Sequence, residues 1–371
     1  MRCSFLAFCL FAGFLFFGAG TPYSIQQGLP GDGLVVLSWN LENFFDWIDG
    51  GTGESDQEFS ARGSRHWTRS RFEAKARAIG KTVVWTEAEA GRLPDVVAVQ
   101  EVENAFVLRR LIDGSLLRKA GYAFVHFDSP DRRGIDVGLL YRSGTLRLVH
   151  AAALPVRAVA PRLPKTEPSP TGSDTLYTRD ILLAQLEDAL GRRWAILVCH
   201  FPSKYGGGDS DWRREAAARR LRTIADSLQA AGERRILAVG DFNDTPDSPV
   251  FRLLTLSSDP SGLGEGDTST VAGGAGFFRN AKKTGLVNLA EPLSRGGMGS
   301  IRFEGRWQLI DQAFVSSELA SLCTLSVLHP PFLTVHDNVH SGDKPLRTWS
   351  GPRYLGGVSD HRPLLLLVRS P

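Results

Sequence analysis

The sequence predicts an α/β layered domain, and three observations predict it. Short apolar runs rich in β-branched residues recur from residue 34 to residue 368, segments of helical period lie between several of them, and no polar linker divides the runs into two sets. One domain over 34–371 therefore explains the chain better than two. The composition agrees: 371 residues, 42% hydrophobic and 22% charged, are globular proportions that exclude a disordered or collagen-like chain. A chain this long buries a large core, so it needs no metal or disulfide merely to fold. Its formal charge of +3 is too mild for a polycation that coats nucleic acid through charge alone.

The first segment, residues 1–20, stands outside the domain. Arg2, an apolar run over 5–17 and then Gly18, Ala19 and Gly20 follow the basic, apolar and small-residue order of a secretory signal peptide, cleaved near Gly20. The run is shorter than the roughly 20 apolar residues of a spanning helix, so no transmembrane anchor is expected. Residues 21–33 read as a linker. A lipid anchor at Cys9 is disfavoured because Phe8 precedes it where a small residue is wanted. Cleavage leaves Cys199 and Cys323, too few for a disulfide framework, although a single bridge stays open in an oxidising compartment.

Within the domain, seven runs read as buried strands: 34–40, 95–101, 135–142, 194–201, 235–243, 309–317 and 363–368. Three helices are expected at 71–89, 105–119 and 211–230, from apolar residues such as Phe72, Ile79 and Val83 at helical spacing. Stretches 49–65, 157–174, 257–276 and 329–357 read as long loops, the second rich in proline and the third in glycine. The charge run Trp212, Arg213, Arg214, Arg219, Arg220 reads as a solvated helix face, and Trp39, Phe44, Phe45 and Trp67 as core more than as base-stacking residues.

Five strand runs end in groups that bind cations or move protons: Asn40 with Glu42, Glu101, His200, Asp241 with Asn243, and Asp360 with His361. Each alone has a bland reading as a turn former, a helix N-terminal acid, an Asx turn or a satisfied histidine. Five such endings in one chain point instead to a crevice where strand ends converge. Carboxylates and amides without cysteine suit a hard cation, magnesium, with manganese or calcium as alternatives, over zinc. A partly hydrated oxygen-bound ion polarises phosphate, so phosphoester hydrolysis is the natural chemistry.

The segments WNLEN (39–43), VQE (99–101), RGIDVGLLYR (133–142), HFPSK (200–204), GDFND (240–244), LIDQAFVS (309–316) and SDHRP (359–363) resemble, in order, the motifs of the endonuclease/exonuclease/phosphatase superfamily. The resemblance implies two packed mixed β-sheets flanked by helices, the four-layer deoxyribonuclease-I-like sandwich. It implies Glu101 as principal metal ligand, with Asn40, Asp360 and a further acid at Glu42. It implies His361 oriented by Asp311, with Asp241 and Asn243 positioning the attacking water; Asp241 and His361 compete as general base. His200 matches the second histidine of the deoxyribonuclease-like members, with Asp136 as its expected acid. Basic residues for phosphate are Arg133, Arg179, Lys204, Lys344 and Arg347.

The expectation is an exported Mg2+-dependent phosphodiesterase of nuclease type, with a phosphomonoesterase or a phospholipid or inositol-phosphate hydrolase on the same site as the alternative. Nucleic acid is the expected substrate partner, with no stable protein partner and a monomeric state. A non-catalytic binding module would lack ligands, and none of Glu101, Asp241, Asn243, Asp311, Asp360 or His361 departs from the pattern.

Overall fold

Leu34–Phe44 (β1) is buried at nearly every position, and its first four residues are all apolar because they meet a core on each face. Leu34 and Val36 enter the core between two sheets, while Val35, Leu37, Trp39 and Leu41 enter a second core beneath a helix. The same reason makes Val96–Val102 (β2), Asp136–Arg142 (β4), Arg193–His200 (β7), Ile236–Asp241 (β8), Asp311–Ser316 (β12) and Leu364–Val368 (β18) near-continuous apolar runs. All seven expected strands form.

The remaining sandwich strands are Tyr122–His126 (β3), Leu146–Leu154 (β5), Ile181–Asp188 (β6), Leu286–Asn288 (β9) and Cys323–Val327 (β13). Three hairpins decorate one end: Ile301–Phe303 (β10) with Arg306–Gln308 (β11), Thr334–His336 (β14) with Asp343–Pro345 (β15), and Trp349–Ser350 (β16) with Arg353–Tyr354 (β17). The last two fold part of the expected loop 329–357.

One six-stranded sheet has the order β13-β18-β1-β2-β4-β3 and the other β5-β6-β7-β8-β12-β9. Both are mixed: β1 and β2 pair in parallel, as do β7 and β8, and the other neighbours are antiparallel. Face to face they enclose a core of Val36, Ala98, Leu139, Ile196, Val239 and Ala313. Burying each larger side chain there contributes roughly 1.5–3 kcal/mol.

Helices cover the outer faces. Arg69–Ala90 (α1) starts where the Thr68 side chain accepts from Arg71 N and stops at Gly91, whose φ of 77° suits a residue without Cβ. It lays Phe72, Ala76, Ile79 and Val83 on the first sheet. Asp211–Ala230 (α3) covers the second with Ala217, Leu221 and Ile224. The expected helix 105–119 breaks at Gly114: Ala105–Asp113 (α2) ends there, and Ser115 caps a separate 3-10 turn over Leu116–Lys119. Two short helices, Arg252–Thr255 (α4) and Glu291–Arg295 (α5), complete the set.

The computed structural model describes residues 33–51, 53–158, 176–204, 211–255 and 285–370. The expected signal peptide, most of the linker, nearly all of loop 157–174 and the whole of loop 257–276 lie outside them. No described helix is long and apolar enough to cross a membrane. Cys199 and Cys323 are both free thiols, so the bridge left open by the sequence is not formed.

Candidate active site

Two backbone irregularities and three adjacent strand ends build the site. β1 and β2 stay in register up to Asn40↔Gln100 and then shift before Phe44↔Val102. At the shift Glu42, Asn43 and Glu101 take left-handed φ values of 47°, 54° and 60°. Such backbone costs a non-glycine residue roughly 1–2 kcal/mol and collects where function holds it. The bulge swings Glu101 into the cleft, with its Oε2 accepting from Asn43 N at 2.8 Å and its Oε1 4.0 Å from His200 Nε2.

In the facing sheet β7, β8 and β12 set His200, Asp241 and Asp311 side by side, with Asp241 a direct partner of both neighbours. Asn40 spans the two sheets, donating from Nδ2 to Asp241 Oδ2 at 3.0 Å. Asn243, at φ 51°, donates its backbone N–H to Asp241 Oδ1 at 2.8 Å and its Nδ2 to Phe201 O at 2.9 Å.

His361 arrives on a loop pinned to β1. Ser359 Oγ donates to Asn40 O at 2.6 Å and accepts from His361 N at 2.9 Å, and Trp39 Nε1 donates to His361 O at 2.9 Å. The ring then meets Asp311 Oδ2 through Nδ1 at 2.7 Å, leaving Nε2 3.9 Å from Asp241 Oδ2. Burial alone would depress this imidazole, but attraction and hydrogen bonding from Asp311 outweigh it and hold His361 well above the usual histidine range. His200 goes the other way: burial and the nearby Arg179 and Arg133 hold it well below, so it is neutral. Burial pushes Asp241 up to about 7, with His361 pulling it down and Asp311 pushing it further up.

A second charged group adjoins the first. Glu42 Oε1 meets Arg347 at 3.3 Å and its Oε2 accepts from Thr348 N at 2.7 Å, while Arg347 also reaches Asp360 Oδ2 at 3.1 Å. Beneath them Lys75 of α1, 2% exposed, donates to Glu42 O at 2.6 Å and Thr348 Oγ1 at 2.8 Å. Burial lowers this ammonium to about 8, with Glu42, Glu101 and Asp360 supporting its charge. Glu42, buried beside Asp360, rises to about 7.

Most residues expected from the sequence meet here: Asn40, Glu42, Glu101, His200, Asp241, Asn243, Asp311, Asp360, His361, Arg133 and Arg347. Arg133 is 44% exposed, bonds Asn43 Oδ1 and lies 3.7 Å from Glu101 Oε2, so its guanidinium is open to a phosphate. Five expectations need correction. Asp136 does not orient His200; it bonds Ser129 and His126, the latter at 3.2 Å, where β4 begins beside β3. Glu42 has both oxygens engaged by Arg347 and Thr348, which makes it an anchor for Arg347 more than a metal ligand. Arg179, with its side chain 8% exposed, is closed off by Asp131 at 2.9 Å and Phe201 O at 2.8 Å. Lys204 pairs with Asp244, and Lys344 with Asp337 at 2.9 Å. Lys344 instead lines a cavity of about 260 Å³ that borders Arg347 and Asp360, with Arg302, His340 and Leu355 among its other walls. Trp39, Phe44, Phe45 and Trp67 are core residues, as expected.

The sequence reading missed Lys75, Asn43, Thr348 and Ser359. A signal existed for Lys75: it falls beside Phe72, Ala76 and Ile79 on the apolar stripe of α1, where a lone cation is out of place. The oxygens that face the cleft belong to Glu101 and Asp360, one Glu101 oxygen being fixed by the Asn43 N–H and one Asp360 oxygen paired with Arg347, while Asn40 Oδ1 beside them already accepts from Glu42 N at 2.9 Å. A set of this kind fits a hard divalent ion.

The sequence pattern of the Endonuclease/Exonuclease/phosphatase family matches residues 35–370. The chain belongs to that family. Endonuclease/exonuclease/phosphatase enzymes are phosphoester hydrolases that generally use divalent metals, and the oxygen-lined cleft and two-sheet sandwich fit that membership. Similar solved structures include humanized D. rerio TDP2, 15% identical with a TM-score of 0.49, covering 91% of this chain and 99% of that one. The human nocturnin catalytic domain with bound sulfate is 16% identical, TM-score 0.49, covering 90% and 93%. A Bacteroides thetaiotaomicron mannosyl-6-phosphatase is 15% identical, TM-score 0.48, covering 90% and 99%. No curated protein sequence matches the chain.

Proposed function

We propose that the chain is an exported, magnesium-dependent phosphodiesterase of nuclease type, acting as a monomer on nucleic acid. The observation that carries the reading is Asp241 set between two histidines of opposite character, neutral His200 at 3.7 Å and cationic His361 at 3.9 Å. Asp241, poised near 7, takes the proton from the attacking water, which Asn243 helps to hold. His361 stays protonated through Asp311 and faces the charge that grows on the phosphate oxygens. His200 donates a hydrogen bond from Nε2 without changing charge. Arg133 and Arg347 grip the phosphate from two sides. Magnesium held by Glu101, Asp360 and Asn40 would supply Lewis acidity at the phosphate.

The cavity of about 260 Å³ beside Asp360 favours a second reading, a hydrolase for a compact phosphoester such as a phosphomonoester or an inositol phosphate. Purified protein assayed with magnesium or EDTA against plasmid, single-stranded RNA, inositol phosphates, sphingomyelin and bis(p-nitrophenyl) phosphate separates the two. Cleavage of the polymers with EDTA-sensitive kinetics is expected; turnover confined to small phosphoesters replaces the first reading with the second. Export is checked by N-terminal sequencing of protein secreted by its host, which should begin just past Gly20.

A further inference from the structure

Below the catalytic groups lies a layer of polar atoms that the chemistry above does not use. Ser38 Oγ, both amide atoms of Gln100 and His200 Nδ1 are buried and have no hydrogen-bond partner among the described residues. Gln100 is 0% exposed. Leaving such groups unpaired costs about 1–3 kcal/mol each, so they are rare in folded proteins.

Strand alternation fixes where they point. Val96 and Ala98 of β2 lie in the core between the sheets, so Gln100 faces that way; Ile196 and Val198 of β7 do the same for His200. Gln100 is the direct neighbour of Asn40, His200 is the direct neighbour of Asp241, and Asn40 and Asp241 are bonded across the sandwich. Across the sandwich β2 packs against both β8 and β7, and β7 against β4 as well as β2, so the Gln100 amide and the His200 ring enter the same layer between the sheets.

The other ring nitrogen settles what His200 needs. His200 Nε2 looks toward two carboxylates, Asp241 Oδ2 at 3.7 Å and Glu101 Oε1 at 4.0 Å. Carboxylate oxygens on that side, although beyond hydrogen-bond length, favour the tautomer with its hydrogen on Nε2, which leaves Nδ1 an acceptor without a donor. Asp136, the acid expected there, is bonded elsewhere.

We propose that Gln100 is a positioning residue for His200: its carboxamide N–H donates to one buried water that in turn donates to Nδ1, which keeps the hydrogen on Nε2 where phosphate binds. Ser38, diagonal to Gln100 on β1 and likewise unpaired, completes the water's partners. The proposal rests on the reading of the cleft as a site of phosphoester hydrolysis. It also names the rival: Asp180 Oδ1 is unpaired too and directly precedes β6, the strand beside β7, so a hydrogen on Nδ1 would point there.

The test is nitrogen-15 NMR of the histidine rings in the full mature protein, with steady-state kinetics, for wild type, Gln100→Leu and Ser38→Ala. Wild-type His200 should carry its hydrogen on Nε2 and show Nδ1 as a bonded acceptor. Gln100→Leu should move the Nδ1 signal to that of an unbonded acceptor and lower kcat about tenfold with KM little changed, and its Tm should not fall. A wild-type hydrogen on Nδ1, an unmoved Nδ1 signal, or a moved signal with full kcat each overturns the proposal. If Gln100→Leu does not fold, Gln100→Met carries the same comparison. Should wild type hydrolyse no phosphoester, the functional reading fails while the ring spectra still decide whether Gln100 bonds His200.

Discussion

Asp311→Asn distinguishes the two candidate bases by the direction in which a pH profile moves. Asp311 holds His361 cationic through a 2.7 Å bond; without that carboxylate only the weaker attraction of Asp241 and Asp360 opposes burial, and the imidazole falls toward its neutral form. Asp241 then loses a positive neighbour at 3.9 Å. At an effective dielectric near 20 that attraction is about 4 kcal/mol, equivalent to about three pKa units or a thousandfold in rate if the phosphate's developing charge feels the same cation. The variant also removes the repulsion of Asp311 on Asp241, a smaller influence than His361, so the net movement of Asp241 is upward. With Asp241 as base, activity rises with pH as that carboxyl ionises near 7 in wild type. In Asp311→Asn this rising limb should move up by at least about one unit, and the plateau should fall by hundreds to a thousandfold. Stopped-time assays of kcat over pH 5 to 10, on whichever phosphoester wild type cleaves, read both effects. A limb that moves down makes His361 the base, and an unmoved limb at wild-type rate removes the His361–Asp311 pair from catalysis.

Magnesium should raise the Tm of the wild-type protein; Glu101→Gln should abolish that rise and His361→Ala should keep it, and coincident melting curves would mean that Glu101 is not the principal ligand. Arg347→Ala should raise KM about tenfold, one charge-assisted contact's worth, with a smaller change in kcat; an unchanged KM places the phosphate elsewhere. Gly240→Ala should cost at least about 2 kcal/mol in denaturant melts, because a Cβ at φ 144° would stand 1.9 Å from Cys199 O. Equal stability would mean that β7 and β8 are not packed as described. Reducing agent should leave the Tm unchanged, since Cys199 and Cys323 are unpaired.

How much was legible follows the physics of each residue. The buried strands were readable because burial on both faces forces unbroken apolar runs, and their polar ends were readable because an acid or amide after such a run has no packing reason to be there. β5 and β6 were passed over although Leu146–Leu154 and Ile181–Asp188 carry apolar residues, the first because an edge strand mixes exposed with buried positions. Among site residues, placement at a strand end was reliable and partnership was not. Asp136 sits at the head of β4 as expected, but its partners are set by the turn at Ser129, which no spacing in the sequence reveals. Lys204 and Lys344 carry the right charge and turn to nearby carboxylates instead. Glu42 looks like a ligand until the distant Thr348 N–H and Arg347 occupy it.

The left-handed backbone at Glu42, Glu101 and Asn243 has a practical corollary for anyone engineering heat tolerance. Glycine relaxes that geometry at no steric expense, so selection on thermal survival alone would enrich Glu101→Gly and Asn243→Gly and harvest sturdier but inert protein. Libraries built on this scaffold should therefore be sorted on turnover first and on melting second.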